Sequence, residues 1–140
     1  MPVLMADDDA RNRLKNLAQG VREKVQPTGR LQLDQKGTAM VAQLVADLTG
    51  KDGMPGLYVA QDTPTMIRLR RPAKAGQIIL AWDKQISAIV VTYEKFNARP
   101  RQVRYLHREA DDAWHALDDG REIYDEITAN LVDILYPEAR

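Results

Sequence analysis

The chain has 140 residues, 44% hydrophobic and 29% charged, with no net formal charge. That is the composition of a soluble globular protein, long enough to bury about two thirds of its unfolded surface in one domain. It has no cysteine, which excludes disulfides, thiolate metal sites and the strongest side-chain nucleophile.

Residues 1–13 lack the basic start and apolar stretch of a secretory signal. The longest apolar run, Ile78 to Trp82, is five residues, against the roughly twenty that cross a bilayer. A cytoplasmic protein with no membrane partner is expected. Asp7 to Val25 reads as a helix, with Leu14, Leu17, Ala18, Val21 and Val25 at helical steps and Pro27 as its stop. Its apolar face lacks the aromatic anchors of an interfacial helix. A second helix is predicted from about Gln35 to Thr49, on the stripe Met40, Val41, Leu44, Val45 and Leu48, with Gly50 past its end.

The segment GKDGMPG (50–56) is a turn, because a phosphate-cradling Walker loop needs four residues before its Gly-Lys pair. The apolar period then falls to two. Strands are predicted at 57–60, 66–71, 77–83, 86–96 and 101–108, joined by short turns at RPAKAG and NARPR. Residues 113–117 fit a last strand or a helical stripe, and the strand is preferred. Ala88 to Val91 is apolar on both sides, which predicts a central strand covered on both faces, with Trp82 and Val90 in the core. A final helix spans 122–136, before Pro137. The fold class is therefore α+β. A single domain over 1–140 holds a mostly antiparallel five- or six-stranded meander, two N-terminal helices and one C-terminal helix.

Charge is neutral only in total. Residues 65–108 carry ten bases and two acids, and residues 109–140 carry two bases and ten acids. Candidate basic binding residues are Arg68, Arg70, Arg71, Lys74, Arg99, Arg101, Arg104 and Arg108. Candidate acidic ones are Asp118, Asp119, Glu122, Asp125, Glu126 and Asp133. Such asymmetry within one chain is a sign of partners or of internal docking.

Catalytic chemistry finds no constellation of nucleophile, base and orienter. Ser87 is the lone serine and has no elbow signature around it. His107 falls on an alternating strand, with Glu94 as its one prospective partner. His115 has Asp111 and Asp119 four residues to either side, a poor donor set for zinc and better read as a solvated acidic turn. No catalytic residue, metal or cofactor is assigned.

The reading is a non-catalytic protein-interaction module of the adaptor, inhibitor or chaperone-like kind, using segregated basic and acidic surfaces. Its partner is another protein or a second copy of the chain, with Leu135 and Tyr136 as the apolar centre of contact. The alternative is a nucleic-acid-binding accessory protein, with the arginine strip on phosphates and Tyr58, Tyr93 and Tyr105 stacking on bases. The two are told apart by whether the acidic C-terminal helix covers Arg68, Arg70, Arg104 and Arg108.

Overall fold

In a computed structural model, residues 9–19, 28–63 and 65–140 are described. The chain divides into two units, residues 1–36 and 37–140. In the first, residues 9–19 form helix α1, on which Leu14 and Leu17 are exposed; the remainder of the predicted helix 7–25 lies outside the described residues. Helix α2 spans Thr28–Thr49, so it begins well before Gln35. The early turns escape sequence reading because 28–36 has no apolar stripe, and Leu31 there is exposed.

In the second unit, Val41 and Leu44 of α2 are buried. Gly50 closes the helix through its N–H to the Ala46 carbonyl, 2.8 Å. Six strands follow: β1 (Tyr58–Asp62), β2 (Ile67–Arg70), β3 (Gln77–Asp83), β4 (Ala88–Glu94), β5 (Arg101–Arg108) and β6 (Ala113–Ala116). They form one antiparallel sheet in chain order, the meander that short connections allow. The ambiguous segment is thus strand β6, paired to β5 through Leu106 opposite His115 and His107 opposite Trp114. Turn tips at Ala73, Ser87, Asn97 and Asp112 take positive φ. Helix α3 (Ile123–Ile134) is capped by Glu122, whose carboxylate accepts from the Asp125 N–H, 3.1 Å.

Alternation fixes which face is covered. Leu69, Ile78, Leu80, Ile89, Val91, Tyr93, Val103, Tyr105, Trp114 and Ala116 share one face and are buried. Helix α3 closes that face with Ile123, Ile127 and Leu131, packing against β4 and β6. Helix α2 approaches the β3 end of the same face at Gly37, where a Cβ would lie 2.2 Å from the Trp82 ring, so any side chain there would collide. No helix among the described residues is long and apolar enough to cross a membrane.

Two expectations need correction. Strand β4 is interior to the sheet, but the face it turns away from α3 carries half-buried side chains, and Val90 is half-buried rather than core. Trp82 is also half-buried, at the end of the core face, where it meets Trp114 edge-on at 5.7 Å. Leu135 and Tyr136 are fully buried instead of presenting an apolar contact. The Tyr136 hydroxyl donates to the Pro55 carbonyl at 2.7 Å.

Candidate functional site

The face of the sheet opposite α3 carries half-buried and exposed side chains, with Ala88 the buried exception. The pairing aligns Arg68 with Ile79, Thr92 and Gln102 in one row, and Ala81 with Val90 and Arg104 in another. Leu106 lies further along β5, 36% exposed, beside His115. The same parity puts Leu117, whose N–H donates to the Arg104 carbonyl at 2.9 Å, at the margin of this face, 65% exposed. An apolar centre of Ile79, Ala81, Val90 and Leu106 is thus bracketed by arginines on β2 and β5. Three strand spacings separate the brackets, ~14 Å.

The eight candidate bases divide by parity. Arg68, Arg70 and Arg104 stand on the face opposite α3, and none forms an ion pair among the described residues. Arg68 donates to Gln61 at 3.3 Å, and Arg70 reaches the Lys74 carbonyl at 3.5 Å. Arg108 shares the face but is bound to Asp111. Arg71 turns to the C-terminal segment: it donates to the Leu135 carbonyl at 2.8 Å, pairs with Glu138 and lies 4.2 Å over the Tyr136 ring. Arg101 is on the helix-covered face, 2.8 Å from Glu126 and 4.0 Å from Asp118. Lys74 and Arg99 occupy the β2–β3 and β4–β5 turns.

The acids do not make one surface. Glu126 is 2% exposed beneath α3. Burial pushes its carboxyl up from the ordinary range, opposed by Arg101. Asp133 pairs with Lys95 and Arg140. Asp119 accepts from the Arg121 N–H at 3.0 Å, and Glu122 is spent on the α3 cap. Asp118 and Asp125 remain exposed. The basic middle and acidic end of the chain therefore neutralise each other in part, on the side of the sheet where α3 lies.

Aromatic placement differs from expectation. Tyr93 and Tyr105 point into the core, their hydroxyls 2.6 Å apart, and burial raises both phenol pKa values. Neither can stack on a base; Tyr58, at the sheet edge, alone of the three stays exposed.

The histidines belong to the β5–β6 hairpin. His107 meets Asp112 at 2.6 Å, not Glu94, and its ring lies against Trp114. Glu94 is at the far end of β4, bonded to Gln77. His115 is on β6, with Nδ1 2.9 Å from the Gly120 carbonyl and Nε2 2.8 Å from Asp111. Both partners are acceptors, so the protonated ring, with an N–H on each nitrogen, is the form that satisfies both. The Gly120 carbonyl first, and then Asp111, raise its pKa. A raised folded-state pKa adds stability that is complete below the ordinary value of about 6.5 and is lost as pH rises through the folded value. An NMR titration of His115 should therefore give a midpoint above that of the unfolded chain, with the link between the β5–β6 turn and the 117–121 loop loosening at alkaline pH. No group of three metal-ligating side chains occurs among the described residues.

Sequence reading missed the apolar centre and a second cluster, Lys95, Phe96 and Arg140. The signal was available for the first: in a meander every second residue shares a face, so Arg68, Ile79, Val90 and Arg104 can be lined up once the register is known. No protein-family model matches this chain, nor does any curated protein or solved structure.

Proposed function

We propose that the protein is a non-catalytic interaction module that docks a partner protein on the face of its sheet opposite α3. The observation that carries this is the combination on one surface of an apolar centre, Ile79, Ala81, Val90 and Leu106, and three arginines without carboxylate partners among the described residues. Protein interfaces have this anatomy: a dry centre, a polar rim and enrichment in arginine. The acidic helix α3 lies on the opposite face, so it does not neutralise Arg68, Arg70 or Arg104. The inward turn of Tyr93 and Tyr105 removes the stacking surfaces a single-strand nucleic-acid reader would use, which favours a protein as the occupant.

The partner presents carboxylates around an apolar patch. Two copies stacked by this face would set arginine against arginine, at a cost in like-charge repulsion. A second copy therefore fits only if it offers its acidic Asp118–Asp125 segment. A cytoplasmic location is proposed with this reading, on composition alone.

The test is binding by wild type and by the Arg68→Glu, Arg104→Glu double variant. Sedimentation addresses self-association; reconstitution with a purified partner recovered from the source cells addresses a foreign one. Binding should weaken from low to moderate salt, as the screening length shortens to about 8 Å. It should be lost in the double variant, whose melting temperature stays close to wild type because both side chains lie off the core. Binding indifferent to both changes would remove this face as the docking surface.

A further inference from the structure

A second surface lies at one end of the sheet. In an antiparallel meander alternate turns share an end, so the β2–β3 turn (71–76) and the β4–β5 turn (95–100) sit together. The segment after α3 arrives at the same place, where Gly76 allows close approach: a Cβ there would be 2.4 Å from Ile134 and 3.0 Å from the Glu94 carbonyl. Between them is a cleft of about 390 Å³ lined by Lys74, Lys95, Phe96, Asp133, Pro137 and Arg140 among others. That volume is at the lower end of sites that hold small ligands, roughly 300–1,000 Å³.

Two features of this cleft have no use in the fold. Phe96 is the one phenylalanine of the chain and is 75% exposed. A large apolar ring at a turn tip, three quarters exposed, adds little to the core. The second feature is charge. Three cationic side chains, Lys74, Lys95 and Arg140, line the cleft with one carboxylate, Asp133, which accepts from Lys95 at 2.9 Å and from Arg140. Lys95 first, and then Arg140, hold Asp133 below its ordinary range, so it stays ionised and keeps both cations at the cleft. Lys74 forms no ion pair among the described residues, although Glu138 lies near enough to feel its charge. The side chains lining the cleft therefore carry a surplus of two positive charges beside an uncovered aromatic face.

We propose that this cleft binds a nucleoside phosphate, with the base stacked on Phe96 and the phosphate held by Lys74, Lys95 and Arg140. The two charges of a phosphate monoester match the surplus, and a planar base offers the π-face that an exposed phenylalanine accepts without regard to base identity. The site is separate from the sheet face opposite α3 and does not depend on the docking proposed there. Two sources share this chemistry, a free nucleotide and the phosphorylated end of a single strand.

The experiment is calorimetric titration of the full chain with adenosine monophosphate, adenosine, inorganic phosphate and a short 5′-phosphorylated oligodeoxyadenylate, with NMR of the Phe96 ring and the Lys74 and Gly76 amides. Adenosine monophosphate should bind and shift those signals, with adenosine and phosphate each about tenfold weaker or worse. Phe96→Ala and Lys74→Glu should each lower its affinity about tenfold, the scale of one stacked base. Asp133→Asn should raise affinity, because it releases Lys95 and Arg140 to the ligand; a residue with a merely structural role would not produce a gain. An oligonucleotide that binds far tighter than the mononucleotide, with a steeper salt dependence, assigns the site to strand ends; equal affinities assign it to free nucleotides. The proposal is overturned if adenosine monophosphate leaves these signals unmoved, if inorganic phosphate binds as well, or if Phe96→Ala binds like wild type with an unchanged melt.

Discussion

Replacing Arg101 with methionine is expected to lower the unfolding free energy by about 2–3 kcal/mol, somewhat under the ~3–5 kcal/mol that follows from breaking a fully buried pair. Glu126 is 2% exposed on the inner side of α3, and neither of its carboxylate oxygens has a hydrogen-bond partner. The Arg101 guanidinium at 2.8 Å is its compensating charge. The discount reflects Arg101 itself, whose side chain is 47% exposed, so water already screens part of the attraction. Adding Glu126→Leu to the methionine variant should restore most of the loss, since an apolar pair can fill that place without an unpaired charge. The pH dependence has a definite sign. Burial raises the Glu126 pKa, with Arg101 the largest opposing influence and Asp119 and Asp118 adding to the rise. A raised carboxyl contributes stability below its unfolded value of about 4.3 and loses it as pH rises through the folded value. Without Arg101 the folded value climbs further, so the deficit of the variant should be largest near neutrality and shrink on acidification. Asp133, whose pKa is lowered chiefly by Lys95, and Glu138, whose pKa is lowered by its own backbone N–H and then by Arg71, act the other way in both proteins. The difference between the two urea-unfolding curves isolates Glu126. A deficit that grows with acid would show that Arg101 is not its partner.

The switch in apolar period after Gly56 and the return to helical spacing near Glu122 were enough to read an α+β fold with an antiparallel sheet of five or six strands, because period two and period 3.6 place side chains differently and both segments are strongly patterned. The start of α2 was not legible, since 28–36 has only Leu31 and Leu33 as apolar residues, two positions apart, and no helical stripe that could mark it. Strand β4 misled for a physical reason. Ala88 to Val91 is apolar at every position, which a doubly covered strand requires, yet here the second side belongs to a half-buried apolar patch with Ile79 and Ala81. The charge run was legible as charge but not as layout. Parity sends Arg101 beneath α3 and Arg104 to the opposite face three residues later, so one basic segment feeds two surfaces of different chemistry. The cleft at Phe96 depends on two turns and the chain end meeting, and contacts so distant in sequence leave no local pattern.

The neighbouring residues Ile89 and Val90 provide the sharpest test of which face is covered. Ile89→Asp should prevent folding. Ile89 is fully buried between Trp82 on β3 and Tyr105 on β5, and an unpaired carboxylate there costs several kcal/mol against a total stability of about 5–15 kcal/mol. Val90→Asp should fold. Its side chain points to the other face, between Ala81 and Arg104, where solvent and the arginine can accommodate a carboxylate; the expected loss is ~1 kcal/mol of strand preference. The variant should nevertheless lose partner binding. The aspartate sits in the middle of the apolar centre, must be desolvated when a partner docks, and repels the acidic surface that Arg68 and Arg104 attract. Circular dichroism melts on both variants, followed by binding measured on Val90→Asp, separate the two effects. A Val90→Asp chain that is as unfolded as Ile89→Asp would place a cover over this face and withdraw it as a docking surface. A chain that folds and still binds its partner with wild-type affinity would leave the face open but put the partner elsewhere.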